Sequence, residues 1–204
     1  MYANPQKTLE ETMKTDIILC GVGGQGILSI ATVIGEAATA AGLYLKQAEV
    51  HGMSQRGGDV QSDLRLSTEE IHSDLISKGH ADLIISMEPM EALRYITFLT
   101  PDGQIVTSSK PFVNIPNYPA PEAVAAELES LPHVQKCDIE QIARDAGNPK
   151  GANMVLLGMA AHHIKVLSKE NLREAIGRIF KAKGEKIVAS NQKAFDLGYD
   201  LESE

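Results

Sequence analysis

The residues best suited to chemistry in this chain are Gly21, Gly23, Gly24, Gln25 and Gly26, in the run Asp16-Ile-Ile-Leu-Cys-Gly-Val-Gly-Gly-Gln-Gly26. The spacing G-x-G-x-x-G is that of a turn that cradles a diphosphate. Glycine allows the tight turn and lets a ligand approach the backbone closely. A helix starting at once offers unpaired N–H groups and the positive end of its dipole to an anion. The same glycines also serve a purely structural turn in which strand and helix pack closely, and the spacing leaves both readings open.

A second polar set follows in His51-Gly-Met-Ser-Gln-Arg-Gly-Gly58, where His51, Ser54, Gln55 and Arg56 are candidates to hold a substrate or anion. Arg56 carries a fork of donors matched to a carboxylate or phosphate. His51 either titrates near neutrality or donates a hydrogen bond. The alternative is a surface loop whose arginine pairs with a local acid. Glu49 lies 23 positions beyond Gly26, near where a dinucleotide fold keeps its ribose-binding acid; the alternative is a solvated carboxylate at a strand end. His162 and His163 are adjacent, so they do not form an i,i+4 metal pair, and no metal site is expected. Cys20 reads as a small buried residue, although the following helix start could activate its thiol.

These residues need elements to position them. Asp16–Cys20 reads as a buried strand, and Ile27, Ile30, Ala31, Ile34, Ala38 and Ala41 place a helix over about Gln25–Ala41. Leu43–Val50 is a second strand, which should emerge at the same sheet edge as the glycine turn. Val60, Ser62, Leu64 and Leu66 alternate with polar residues, as an antiparallel or edge strand does. Ala81–Met87 and Gly103–Ser108 are further strands, with a helix from Pro89 to about Leu99 between them. Four prolines at 111, 116, 119 and 121 mark an extended loop. Pro121 opens a helix, His133–Cys137 is a short strand, and Asp138 caps the next helix. The remainder is helical. Asn153–Leu167 is apolar nearly all round, which places it in the core or against another chain. An interface is the reading preferred here, with the isolated chain associating as a two-fold dimer. The order predicts an α/β fold: a three-layer, Rossmann-like, mostly parallel sheet with an antiparallel strand and a helical C-terminal third. Residues 1–14 are expected to be a disordered tail, and 15–200 a single domain.

The chain of 204 residues carries a formal charge of −8, which opposes binding to nucleic acid or to an anionic membrane. No apolar run reaches transmembrane length and the first residues lack a signal-peptide core, so the expected location is cytoplasmic. Two cysteines, far apart, cannot ligate an Fe–S cluster.

The first glycine motif joined to Glu49-Val-His-Gly-Met-Ser-Gln-Arg-Gly-Gly58 resembles the small subunit of 2-oxoacid:ferredoxin oxidoreductases, of the indolepyruvate type. Asn153-Met-Val-Leu-Leu-Gly158 and Asn191-Gln-Lys-Ala-Phe195 are similar to that family too, so the resemblance spans roughly 15–199. It implies oxidative decarboxylation of a 2-oxoacid to an acyl-CoA, with coenzyme A as co-substrate and electrons passed to ferredoxin. It also implies a larger alpha subunit carrying thiamine diphosphate, magnesium and Fe–S clusters, since this chain has no thiamine motif; the chain itself would hold none of them. Two other readings remain: a free-standing NAD-binding Rossmann protein and a nucleotide-sensing module.

Overall fold

The computed structural model describes residues 12–51, 57–113 and 115–201. Among them the sheet has six strands: β1 (Lys14–Val22), β2 (Tyr44–His51), β3 (Asp59–Ser67), β4 (Ala81–Ser86), β5 (Leu99–Ser108) and β6 (Val134–Cys137). Their spatial order is β2-β3-β1-β4-β5-β6. β3 runs antiparallel to both β1 and β2, and β4, β5 and β6 continue parallel to β1. The helices are α1 (Ile27–Ala40), α2 (Pro89–Arg94), α3 (Pro121–Ser130), α4 (Ile139–Asp145), α5 (Ala152–Ala160), α6 (Lys169–Phe180) and α7 (Glu185–Tyr199).

The apolar pattern explains the layers. Ile17, Leu19, Leu64, Leu66, Leu83 and Ile85 point to one face, where α1, α5 and α6 cover them. Ile18, Cys20, Ile84 and Ile105 point to the other, against the smaller layer that begins with Ala92 of α2 and Leu128 of α3. β1 and β4 therefore send their chains to opposite faces. That makes the gap between their C-terminal ends the topological switch point, where ligands of open α/β sheets gather.

Several expectations shift. The tail is shorter than 1–14: Lys14 belongs to β1, and Met13 exchanges hydrogen bonds with Thr68; residues 1–11 lie outside the described residues. The helix from Pro89 stops at Arg94, gives a 3-10 turn at Ile96–Phe98, and leads into a strand that begins at Leu99 rather than Gly103. β3 is antiparallel, as expected, and internal; β2 and β6 are the edge strands.

The interface expected of Asn153–Leu167 is corrected. The α-helix ends at Ala160, and Met154 is 0% and Met159 1% exposed. The sheet, α1, α4 and α7 pack against it. A helix apolar all round can be core when a second layer of helices lies over it, and α7 supplies that layer. It leaves no surface there for a two-fold dimer.

At the N-terminal edge, Asp16 is buried among cations. Its carboxylate takes hydrogen bonds from Arg65 Nε (2.8 Å) and Nη2 (3.2 Å) and from Lys14 Nζ (2.7 Å). Burial alone would raise its pKa, but the bonds from Arg65 and Lys14 outweigh it and hold the group below its ordinary value. A carboxyl lowered in the folded state adds stability that is present above pH of about 4 and lost as pH falls through the folded value. Asp16→Asn should therefore cost about 1–2 kcal/mol at pH 7, with a smaller gap to the unmutated chain at pH of about 3. Urea unfolding at the two pH values measures it; an equal gap at both would contradict the assignment.

Candidate functional site

The two glycine segments meet because β3 enters beside the exit of β1. Val22 pairs with Asp59, and the ladder runs on beyond the strands. Gly23 N–H donates to Gly58 O at 2.8 Å, and Gly57 N–H donates to Gly23 O at 3.3 Å. His51 ends β2 opposite Val60. Ser54, Gln55 and Arg56 lie outside the described residues.

The turn itself divides its labour. The Gln25 side chain folds back, with Oε1 accepting from Val22 N–H at 2.8 Å and Nε2 donating to Met87 O at 3.3 Å. It braces the turn against β4. Gly26 caps α1 with φ of 92°, a left-handed conformation that side chains disfavour. Its carbonyl accepts from Asn153 Nδ2 at 3.3 Å, across 127 residues of sequence. Among the described residues no side chain caps the first N–H groups of α1, and no acid sits in its first turn, so that end keeps its positive character.

Glu49 stands apart. β3 lies between its strand and β1, which sets it roughly 10 Å from the glycine turn at two strand spacings. Its Oε1 accepts from Gln47 Nε2 at 2.7 Å. In a dinucleotide fold the acid-bearing strand is β1's direct neighbour; here that place is taken.

A cleft of about 770 Å³ opens at the switch point. Its lining includes Gly24, Gly26 and Ser29 of the turn and α1, Met87 and Phe112, and Lys150, Asn153 and Lys183. Among the described residues neither Lys150 nor Lys183 has an ion-pair partner; Lys183 lies 5.2 Å from the centre of the Phe180 ring. A neighbouring hollow of about 290 Å³, also lined by Phe112, holds Lys110 and Arg144. Arg144 donates to Gln141 Oε1 at 2.8 and 3.3 Å. One acid, Glu140, faces both spaces and accepts from Ser108 Oγ at 3.2 Å. Lys110 is paired with Asp138 at 3.6 Å, so in a chain of charge −8 it is Lys150 and Lys183, beside the start of α1, that form a place for an anion.

Two acids beneath the cleft carry no prior sequence signal of function. Glu88, 0% exposed, is the N-cap of α2, with Pro89 at the first helical position. Glu91 is held bidentately by Arg94 at 2.9 and 3.1 Å, yet burial wins and its pKa is raised. Glu-Pro-x-Glu is legible as a helix start; its burial is not. Cys20 is no reactive thiol: burial pushes it far up, and its Sγ lies 3.6 Å from Glu91 O. Burial also pushes Cys137 up to about 12.

Residues 16–201 match the model of the family described as pyruvate ferredoxin/flavodoxin oxidoreductase. The chain belongs to that family. Two relatives carry the name indolepyruvate oxidoreductase subunit IorB. The one from Archaeoglobus fulgidus is 35% identical over 92% of this chain and 95% of its own. The one from Pyrococcus horikoshii is 38% identical over 90% and 93%. Among solved structures, 2-oxoglutarate:ferredoxin oxidoreductase from Magnetococcus marinus, with 2-oxoglutarate, coenzyme A and succinyl-CoA bound, superposes with a TM-score of 0.69. The match is 23% identical and covers 91% of this chain but 30% of that one, so the family's fold recurs as one part of a longer polypeptide. Membership of the pyruvate ferredoxin/flavodoxin oxidoreductase family accounts for the sheet with its inserted antiparallel strand. No helix among the described residues is long and apolar enough to cross a membrane.

Proposed function

We propose that this chain is the small subunit of an arylpyruvate ferredoxin oxidoreductase, with indolepyruvate as the favoured substrate. The observation that carries this reading is the match to IorB subunits over nine-tenths of both partners. With a larger subunit it would convert a 2-oxoacid, coenzyme A and an oxidised acceptor into acyl-CoA, carbon dioxide and reduced ferredoxin. Thiamine diphosphate, magnesium and the Fe–S clusters belong on that larger subunit, because two cysteines in the whole chain cannot carry such clusters.

The part assigned to this chain is to hold the phosphates of coenzyme A. The cleft at Gly24 and Gly26 suits a diphosphate by its uncapped α1 start and by Lys150 and Lys183. The same features fit no nicotinamide cofactor, since β3 displaces the ribose-reading strand.

The isolated chain is expected to show no arylpyruvate-dependent reduction of ferredoxin or viologen dye. Activity is expected on co-expression with the large subunit, and to require coenzyme A. Turnover by the purified small chain alone would refute the reading.

A further inference from the structure

We propose that Glu88 and Tyr118 are positioning residues that clamp Phe112 into the wall of the coenzyme cleft. This rests on the assignment of that cleft to coenzyme A. Glu88 sits at the end of β4, where the chain leaves the sheet for α2. It is the acid buried deepest beneath the cleft, and its bonds reach two separate elements. Oε2 accepts from Glu91 N–H at 2.9 Å, which fixes the carboxylate on the α2 start. Oε1 accepts from Phe112 N–H at 3.3 Å and from the Tyr118 hydroxyl. Ser86 locks the Glu88 backbone in turn, accepting from its N–H at 3.2 Å and donating to its carbonyl at 2.6 Å.

The purpose of such a clamp lies in what it holds. Phe112 lines both the large cleft and the neighbouring hollow, and it is 48% exposed. An aromatic ring so exposed gains little from burial that would keep it in place. Pro111 cannot donate, so the backbone beside it offers few hydrogen bonds of its own. The Glu88 carboxylate supplies the missing anchor. Burial and the neighbouring carboxylate both raise the Tyr118 hydroxyl, so it stays protonated as a donor. A buried carboxylate with three donors is stable where an unsatisfied one is not. Removing one donor therefore loosens the loop as well as the acid.

Hydrogen exchange on the isolated chain and kinetics of the assembled complex test this together. In Tyr118→Phe the Phe112 amide should exchange at least tenfold faster, while amides of α5 keep their protection. The KM for coenzyme A should rise about tenfold, or about 1.4 kcal/mol, with kcat within twofold. Glu88→Gln, whose amide nitrogen cannot accept, leaves at least one of the three donors unpaired and should show the same two changes. Unchanged exchange at Phe112 in both variants overturns the clamp. Faster exchange with an unchanged KM overturns its positioning role. Lys150→Ala with Lys183→Ala separates this from failure of the cleft assignment: if that pair also leaves KM unchanged, the cleft does not hold coenzyme A.

Discussion

Gly198→Ala is expected to destabilise the chain by about 4 kcal/mol, lowering its melting temperature by roughly 10 °C. The reason lies at the crossing of α5 and α7. A methyl group placed on Gly198 would meet Val155 O at 1.9 Å and Val155 Cα at 2.9 Å. One on Gly158 would meet Phe195 O at 2.1 Å and the Tyr199 nitrogen at 2.7 Å. Every one of these obstacles is backbone, so no side chain can rotate out of the way. The helices must move apart, and α5 is the centre of the main core: Val155, Leu156 and Leu157 are all 0% exposed. Separation would open gaps around them, adding lost contact to strain. Gly158→Ala should act alike, and the double variant should cost less than the sum, because one displacement relieves both clashes. Thermal unfolding followed by circular dichroism measures all three. A melting temperature within about 2 °C of the unmutated chain would show that the helices do not pack this closely.

Lys150→Ala combined with Lys183→Ala is expected to raise the KM for coenzyme A in the assembled complex about 100-fold. Each ammonium group bonded to a phosphate contributes about 1.5 kcal/mol as a charged hydrogen bond. Both lysines are exposed and have no ion-pair partner among the described residues, so their loss should shift unfolding by no more than about 0.5 kcal/mol. The KM of the unmutated complex should rise with ionic strength, and the variant's should rise less steeply. An unchanged KM and salt dependence would remove the anion from this cleft. Reduced stability with reduced activity would instead point to a structural part for the lysines.

The elements were legible because local residues encode them. Strand, glycine turn and helix at Lys14–Ala40 follow from an apolar run, three spaced glycines and a 3.6-residue period. Asp138 was legible as a cap because the side chain that satisfies the first N–H groups lies in the same segment: Gln141 N–H donates to its carboxylate at 2.9 Å. The boundaries moved where a local pattern had two outcomes. Leu99 and Thr100 fit the end of a helix as well as the start of a strand; pairing with Ala81 decides for the strand.

The site was half legible. The glycine turn declares itself by composition, and family membership is written in the motifs. Which side chains surround the turn was hidden. Gln25 was a candidate for the crevice, and the structure shows its amide also bracing the turn through the Val22 N–H and the Met87 carbonyl. Glu49 sat at the right distance along the chain, but β3 intervenes in space. Asn153, Lys150, Lys183 and Phe112 reach the cleft from more than 80 residues away.

By itself, then, the sequence determined what depends on neighbours along the chain: the strands and helices, the glycine turn at the start of α1, and a cysteine content too small for an Fe–S cluster. Only the tertiary structure decided the strand order, the burial of α5 beneath α7, and the residues that line the switch-point cleft. The physical reason is that periodicity records which face of an element is buried, and not what buries it. α5 carries the same apolar surface whether a partner chain or α7 covers it, and the Gly158–Gly198 crossing, 40 residues apart, is what makes the cover its own.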